Sequence, residues 1–212
     1  MKHIILVASL LISFCAFASE TKSPPWPRLP YKSWYISLAA PKHMEIWVED
    51  VHVLDRRGLK FFHVFGGVPS YTGKVKGWHS GGGKSKPINN VDLPDRIYLR
   101  WQSLAEPKTY MINILIPQWV REVMLKREHL YCTFAAENMT VYRDTITLGM
   151  APGGIVKVWV GDGCLGHLEV GRFEARIDPL GPHHDGNYIY SRPPSPKAQA
   201  YIEKYGIPYG SW

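Results

Sequence analysis

Alternation governs the middle of the chain. Arg96 to Trp101 sets Ile97, Leu99 and Trp101 on one side and Arg96, Tyr98 and Arg100 on the other, the two-residue period of a strand with one buried face. Tyr110 to Ile116 repeats the pattern. Thr145 to Met150 turns Ile146, Leu148 and Met150 inward, Ile155 to Val160 does the same with Val156, Val158 and Val160, and Ala151-Pro152-Gly153-Gly154 between them predicts a hairpin. In Met44 to Leu54 the phase breaks: Met44, Ile46 and Val48 share one side, Val51 and Val53 the other. One extra residue near Glu49 and Asp50 restores a single inward face, so a β-bulge is expected there.

Helical spacing is scarce. Pro117 to His129 carries proline at the first helical position and Trp119, Val120, Val123 and Met124 at helical intervals, which predicts one amphipathic helix over a sheet edge or end. Ser195-Pro196 predicts the start of a second, short helix running to Lys204, stopped by Gly206. Strands outnumber helices and no helix separates them regularly. The expected fold is therefore all-β, a mainly antiparallel β-sandwich with one amphipathic helix and a short C-terminal helix.

The start of the chain changes the compartment. Met1-Lys2-His3 is short and basic, Ile4 to Phe14 is an unbroken run of apolar and small residues, and Ala16-Phe17-Ala18 has the small residues a signal peptidase requires. Residues 1–18 are expected to be a signal peptide cut after Ala18, 19–30 a Pro-rich tether, and 31–212 a single sandwich-like domain with no transmembrane segment in the mature chain. A lipid anchor at Cys15 is the alternative, weakened because Phe14 is large where a lipoprotein box needs a small residue. Either way the location is the bacterial envelope, with the periplasm expected. Removing Cys15 leaves Cys132 and Cys164, which an oxidising compartment is expected to join in a disulfide; two buried free thiols are the other reading.

The charge is unevenly placed. The net formal charge is +7, and between Asp55 and Asp92 there is no carboxylate, while Arg56, Arg57, Lys60, Lys74, Lys76, Lys84 and Lys86 all fall there. The segment contains Gly77-Trp78-His79-Ser80-Gly81-Gly82-Gly83-Lys84-Ser85, which imitates a phosphate loop. Its spacing fails: the opening glycine belongs at position 78, occupied by Trp78, and Lys86-Pro87-Ile88-Asn89-Asn90 cannot begin a long helix. No nucleotide is expected, and export also argues against nucleic acid. Tyr71, Lys74, Lys76, Trp78, Lys84 and Lys86 are the expected partner-binding residues, forming a basic aromatic loop for an acidic protein surface or an anionic envelope component. A solvated mobile loop without a ligand is the other reading of the same residues.

No arrangement of reactive side chains emerges. There is no Gly-x-Ser-x-Gly elbow and no His-Glu-x-x-His helix. His183-His184-Asp185 sits in a turn-like Gly-Pro frame that does not converge on a metal. His52 and His63 fall on strands, where a satisfied or solvent-facing histidine is usual. Glu169 and Glu174, an odd number of residues apart, are expected on opposite faces. The expectation is a non-enzyme with no catalytic residues, no metal and no cofactor.

Val91-Asp92-Leu93-Pro94 with Ile97 to Leu104, then Leu148 to Trp159, and the tail Tyr201 to Trp212 ending in Tyr-Gly-Ile-Pro-Tyr-Gly-Ser-Trp, resemble a family of exported Gram-negative bacterial proteins catalogued as a domain of unknown function. The similarity takes in most of the mature chain, including Trp34-Tyr35 and Glu45 to Glu49, and many family members resemble lipoproteins. The resemblance implies an envelope protein without assigned catalytic residues, and a role as an immunity protein that occludes a lipase effector of type VI secretion. The alternative is a glycan-, lipid- or small-molecule-binding sandwich, with Trp78, Tyr71 and the tail aromatics as stacking platforms.

Overall fold

The computed structural model describes residues 26–72, 74–78, 81–182 and 192–212. The leader, the cleavage point, Cys15, most of the Pro-rich tether and His183-His184-Asp185 lie outside the described residues.

The alternating segments pair into two sheets whose apolar faces share one core. In the first sheet, β1 (Ser33–Pro41) is flanked on one side by β10 (Thr145–Ala151), then β11 (Ile155–Asp162) and β12 (Gly166–Glu174). Its other side is divided: β5 (Lys84–Asn89) runs antiparallel along Ser33 to Leu38, and β4 (Ser70–Thr72) runs parallel along Ala39 to Pro41. The second sheet has the order β13 (Arg176–Ile177), β7 (Lys108–Leu115), β6 (Pro94–Ser103), β2 (Ile46–Asp55), β3 (Lys60–Gly67) and is antiparallel throughout. A separate hairpin joins β8 (Glu128–Cys132) to β9 (Glu137–Val141). The mainly antiparallel sandwich is thus as expected, with parallel pairs at β1–β10 and β1–β4 that alternation cannot reveal, because the period fixes which face is buried and not which way the strand runs.

Between the sheets, Trp34, Ile36 and Leu38 from β1 and Ile146, Leu148 and Met150 from β10 meet Val51, Val53, Ile97, Leu99 and Trp101 from the second sheet, all buried. Each such side chain contributes about 1.5–3 kcal/mol by leaving water. The expected hairpin is present, with Thr147 opposite Trp159 and Leu148 opposite Val158. The expected bulge is present too: Val48 pairs with Trp101 and Asp50 with Arg100, so Glu49 is the extra residue.

A second bulge corrects an expectation. In the β11–β12 pair the register slips between Val158 and Trp159, so Trp159 faces Glu169 while Ile155 faces Glu174. Val170 is the extra residue, and Glu169 and Glu174 end on the same face. They remain engaged with cations, Glu169 with Lys157 at 3.1 Å and Glu174 with Arg172 at 3.3 Å.

Helix α1 (Gln118–Leu125) begins after Pro117, which occupies the N-cap position, and buries Val120 and Met124. It is shorter than expected, since Lys126 turns extended and 128–132 become β8. The residues from His129 onward are claimed by the hairpin ladder with β9, whose last pair is Cys132 opposite Glu137. Cys132 is bonded to Cys164 in the β11–β12 turn, the Cα atoms 5.0 Å apart and the residues 32 apart in sequence. Helix α2 (Pro196–Tyr205) has Ser195 as its N-cap, its Oγ accepting from the Ala198 N–H, and stops at Gly206, whose φ of 70° suits glycine.

The outer face of the first sheet is not left to solvent. Trp159, Ile155 and Ala151 form a second apolar cluster with Met44, Trp78 and Trp212, flanked by Val75, Tyr201, Ile202 and Ile207. The C-terminal tail is fixed here: Trp212 Nε1 donates to Pro152 O at 3.2 Å, and Arg172 Nε to Trp212 O at 3.1 Å. Buried Glu106 accepts from Tyr110 Oη at 3.0 Å, the Gly153 N–H at 2.7 Å and Tyr209 Oη at 2.9 Å.

Candidate functional site

The glycines of the basic segment owe their identity to close packing. A Cβ on Gly81 would stand 2.6 Å from Trp159 Cβ, and one on Gly83 2.5 Å from Leu38 O, whereas Gly82 has nothing within 4 Å. Gly149 opens the space into which Trp78 and Trp159 fit, since a Cβ there would meet Trp159 at 2.7 Å and Trp78 at 3.2 Å. The two indoles cross edge to face with centroids 5.6 Å apart, a favoured aromatic geometry. The backbone is tied down as well: Thr147 Oγ1 donates to Gly81 O at 3.2 Å. Lys84 then begins a strand where a phosphate loop needs a helix N-terminus.

The expected binding residues divide accordingly. Trp78 is only 8% exposed, a wedge between the loop and the sheet, and so leaves the set of side chains that can meet a partner. Tyr71 is 37% exposed, but its hydroxyl end is anchored: burial first, then Glu45, push its pKa up to about 12, against a hydrogen bond with the Ile46 backbone. Lys74 and Lys76 lie exposed on the segment that crosses the outer face of the first sheet. Lys84 and Lys86 belong to β5, opposite Leu38 and Ile36, in the same phase as core residue Ile88. Lys86 Nζ stands 6.0 Å over the Phe65 ring of β3. Both lysines are exposed, and charged side chains on an edge strand discourage edge-to-edge pairing. None of the four lysines forms an ion pair among the described residues.

The outer face of the second sheet holds chemistry that the sequence reading passed over. Arg100 is 1% exposed and lies between Glu49 and Asp178, the latter accepting from Nε at 2.7 Å; Gln102 donates to Glu49 at 2.7 Å. One row along, His52 stacks on Tyr98 with centroids 5.1 Å apart and takes the edge of Phe62 at the same distance. Asp50, His52 and His63 place one ligating atom each within 4.8 Å of one another. Next to them is a groove of about 300 Å³ lined by His52, Leu54, Lys60, Phe62, Arg96 and Tyr98 among others. The available signal was the broken alternation on both strands: the Glu49–Asp50 phase change in β2, and Phe61-Phe62-His63 in β3, where apolar residues adjoin. Burial raises the Tyr98 pKa, with Asp178 and Asp50 adding to it.

A family model described as a protein of unknown function (DUF2931) matches residues 18–210. The chain belongs to DUF2931. Searches among curated proteins and among solved structures find no match. The DUF2931 match spans every strand and both helices, so both sheets, the packed glycine segment and the histidine row all lie within the DUF2931 region. Among the described residues no helix is long and apolar enough to cross a membrane, and the disulfide is compatible with an exported protein.

Proposed function

We propose that this DUF2931 member is a non-catalytic periplasmic domain that docks an acidic partner protein, in the manner of an immunity protein occluding a type VI secretion lipase. The observation that carries this reading is the set of exposed lysines 74, 76, 84 and 86, all without a carboxylate partner among the described residues, in a segment whose Trp78, Gly81 and Gly83 are packed against the first sheet. Unpaired cations raise a positive field that accelerates encounter with an acidic surface.

The test is charge reversal. Protein carrying Lys74→Glu, Lys76→Glu, Lys84→Glu and Lys86→Glu is compared with wild type in capture of a partner from envelope extract, and then in association kinetics with that purified partner. Association of the wild type slows as salt is added, and the variant associates at least about tenfold more slowly. Equal rates for the two proteins remove these lysines from recognition.

A second reading rests on the groove beside His52. Lys60 and Arg96 both stand opposite Leu54, one on each neighbouring strand, and Phe62 is 65% exposed. An aromatic wall with two cations suits a small amphipathic anion. Binding of an anilinonaphthalene sulfonate dye that is lost in Lys60→Glu/Arg96→Glu favours this reading over protein docking; unchanged dye fluorescence in the variant disposes of it.

A further inference from the structure

We propose that Asp50, His52 and His63 form a binding site for a divalent transition-metal ion of the zinc and copper class. One carboxylate oxygen and two imidazole nitrogens lie within 4.8 Å of one another. That donor set is the one used by zinc sites that keep a coordination position open, and imidazole nitrogen favours zinc, copper or nickel over magnesium or calcium.

One departure from regular strand geometry brings these residues together. In β2, Asp50 and His52 are two residues apart and so share the outer side of the sheet, Asp50 opposite Arg100 and His52 opposite Tyr98. In β3, Val51 pairs with Phe65 and Val53 with Phe61, so two steps along β2 are matched by four along β3. The surplus is taken up around His63, whose φ of 50° lies in the left-handed region that non-glycine residues seldom occupy. Bulges re-aim side chains, and this one turns His63 toward the two residues on β2. A regular ladder continued from the Val51–Phe65 pair would set His63 opposite inward-facing Val53.

The electrostatics point the same way. Asp50 is buried, and its Oδ1 lies against His63 Nδ1. A buried carboxylate held away from water calls for a cation. His52 is fixed in orientation by Tyr98 and Phe62, and its Nδ1 accepts the His63 amide N–H at 3.0 Å. In a tetrahedral site, bonds of about 2.0–2.1 Å place ligand atoms about 3.3 Å apart, so the direct contact between Asp50 Oδ1 and His63 Nδ1 must open to admit the ion. The side chain able to move is His63, which is 74% exposed. Coordination through His52 Nδ1 replaces its hydrogen bond from the His63 amide, and that exposed amide turns to water.

The experiment uses tag-free mature protein, stripped with EDTA and dialysed, titrated calorimetrically with Zn²⁺ and followed in parallel by thermal melting. The expected result is one saturable site of micromolar affinity, weakened at least about tenfold by His63→Ala and by Asp50→Asn. Zn²⁺ raises the melting temperature of the wild type and not that of His63→Ala. With Cu²⁺, electron paramagnetic resonance shows coupling to two nitrogens in the wild type and to one in His63→Ala. His63 is exposed, so that variant folds, and equal melting temperatures in EDTA confirm it. The proposal is overturned if the wild type shows no saturable site below about 1 mM, if both variants titrate like the wild type, or if binding is lost only in His183→Ala/His184→Ala.

Discussion

Alanine substitution along Gly81-Gly82-Gly83 separates a packed glycine run from an anion cradle. Ordinary carbon contacts begin near 3.4 Å, whereas a new methyl at position 81 would stand 2.6 Å from Trp159 Cβ and one at 83 would stand 2.5 Å from Leu38 O. The shortfall is about 0.8 Å at position 81 and about 0.9 Å at position 83. Neither obstacle is the free end of a side chain. Trp159 Cβ is anchored to β11 with its indole against Trp78, and Leu38 sits in the centre of β1 opposite Lys84. Relief therefore requires the loop to lift or β5 to shift, at a cost of about 1–3 kcal/mol for Gly81→Ala and for Gly83→Ala. At position 82 there is nothing within 4 Å and the backbone is not left-handed. Gly82→Ala is expected to be neutral or to stabilise by about 0.4–1 kcal/mol, through the restricted unfolded chain. Urea unfolding of the three variants reads these differences as shifts in midpoint at constant slope. For a domain of this size about 1 kcal/mol corresponds to about 2–4 °C, so melting temperatures give the same ranking. If Gly82→Ala lost as much stability as its neighbours, or if all three were silent, close packing would not be the reason for the glycines.

Three further outcomes follow from the same geometry. The disulfide closes a loop with a sequence separation of 32, so reductant should lower wild-type stability by roughly 3–4 kcal/mol and leave Cys132→Ser/Cys164→Ser unaffected; a reductant-insensitive wild type refutes the link. Arg100→Met removes the cation between Glu49 and Asp178 and should destabilise by about 3–5 kcal/mol, because buried carboxylates lose their counter-charge; a loss below about 1 kcal/mol in urea unfolding contradicts that. Burial and then Glu106 push Tyr209 up to about 12, above the usual phenol value near 10. The raised folded value means the stabilisation is complete below pH 10 and is lost as pH rises from 10 toward 12, when the unfolded chain ionises first. Urea midpoints measured across that window should fall less steeply for Tyr209→Phe than for wild type, and parallel curves would dissociate Tyr209 from the effect.

The sandwich was legible because one buried face imposes a period of two, and Ile97, Leu99, Trp101 and the 145–160 hairpin kept that period without interruption. Strand direction was not legible, since a parallel and an antiparallel neighbour bury the same alternate residues; β1–β10 is the instance. The length of α1 was misjudged because His129 fits a helix pattern as well as a strand, and Thr140, the hairpin partner that decides between them, lies eleven residues further on. Trp78 was read as exposed because basic and glycine-rich flanks describe solvated loops. What makes it a wedge is the missing side chain at Gly149, seventy-one positions away, and no local pattern can reveal that.

The same failure of local pattern explains why the histidine row was missed. A sequence reader assigns His52 and His63 by parity, each to whichever face regular alternation dictates, and parity is void on the far side of a bulge. The phase change at Glu49–Asp50 was visible and correctly placed, yet it served only to restore the apolar face. Beyond it Asp50 and His52, two residues apart, share the outer face by ordinary alternation. On β3 the extra residues serve the core as well: they set Phe61 opposite Val53 where a regular ladder would put His63, and Phe61, Val64 and Phe65 all pack against the core. The left-handed turn at His63 accommodates them and leaves the ring exposed against Asp50. One bulge thus feeds an apolar face and re-aims an ionisable ring, and no local alternation in the sequence announces the second effect.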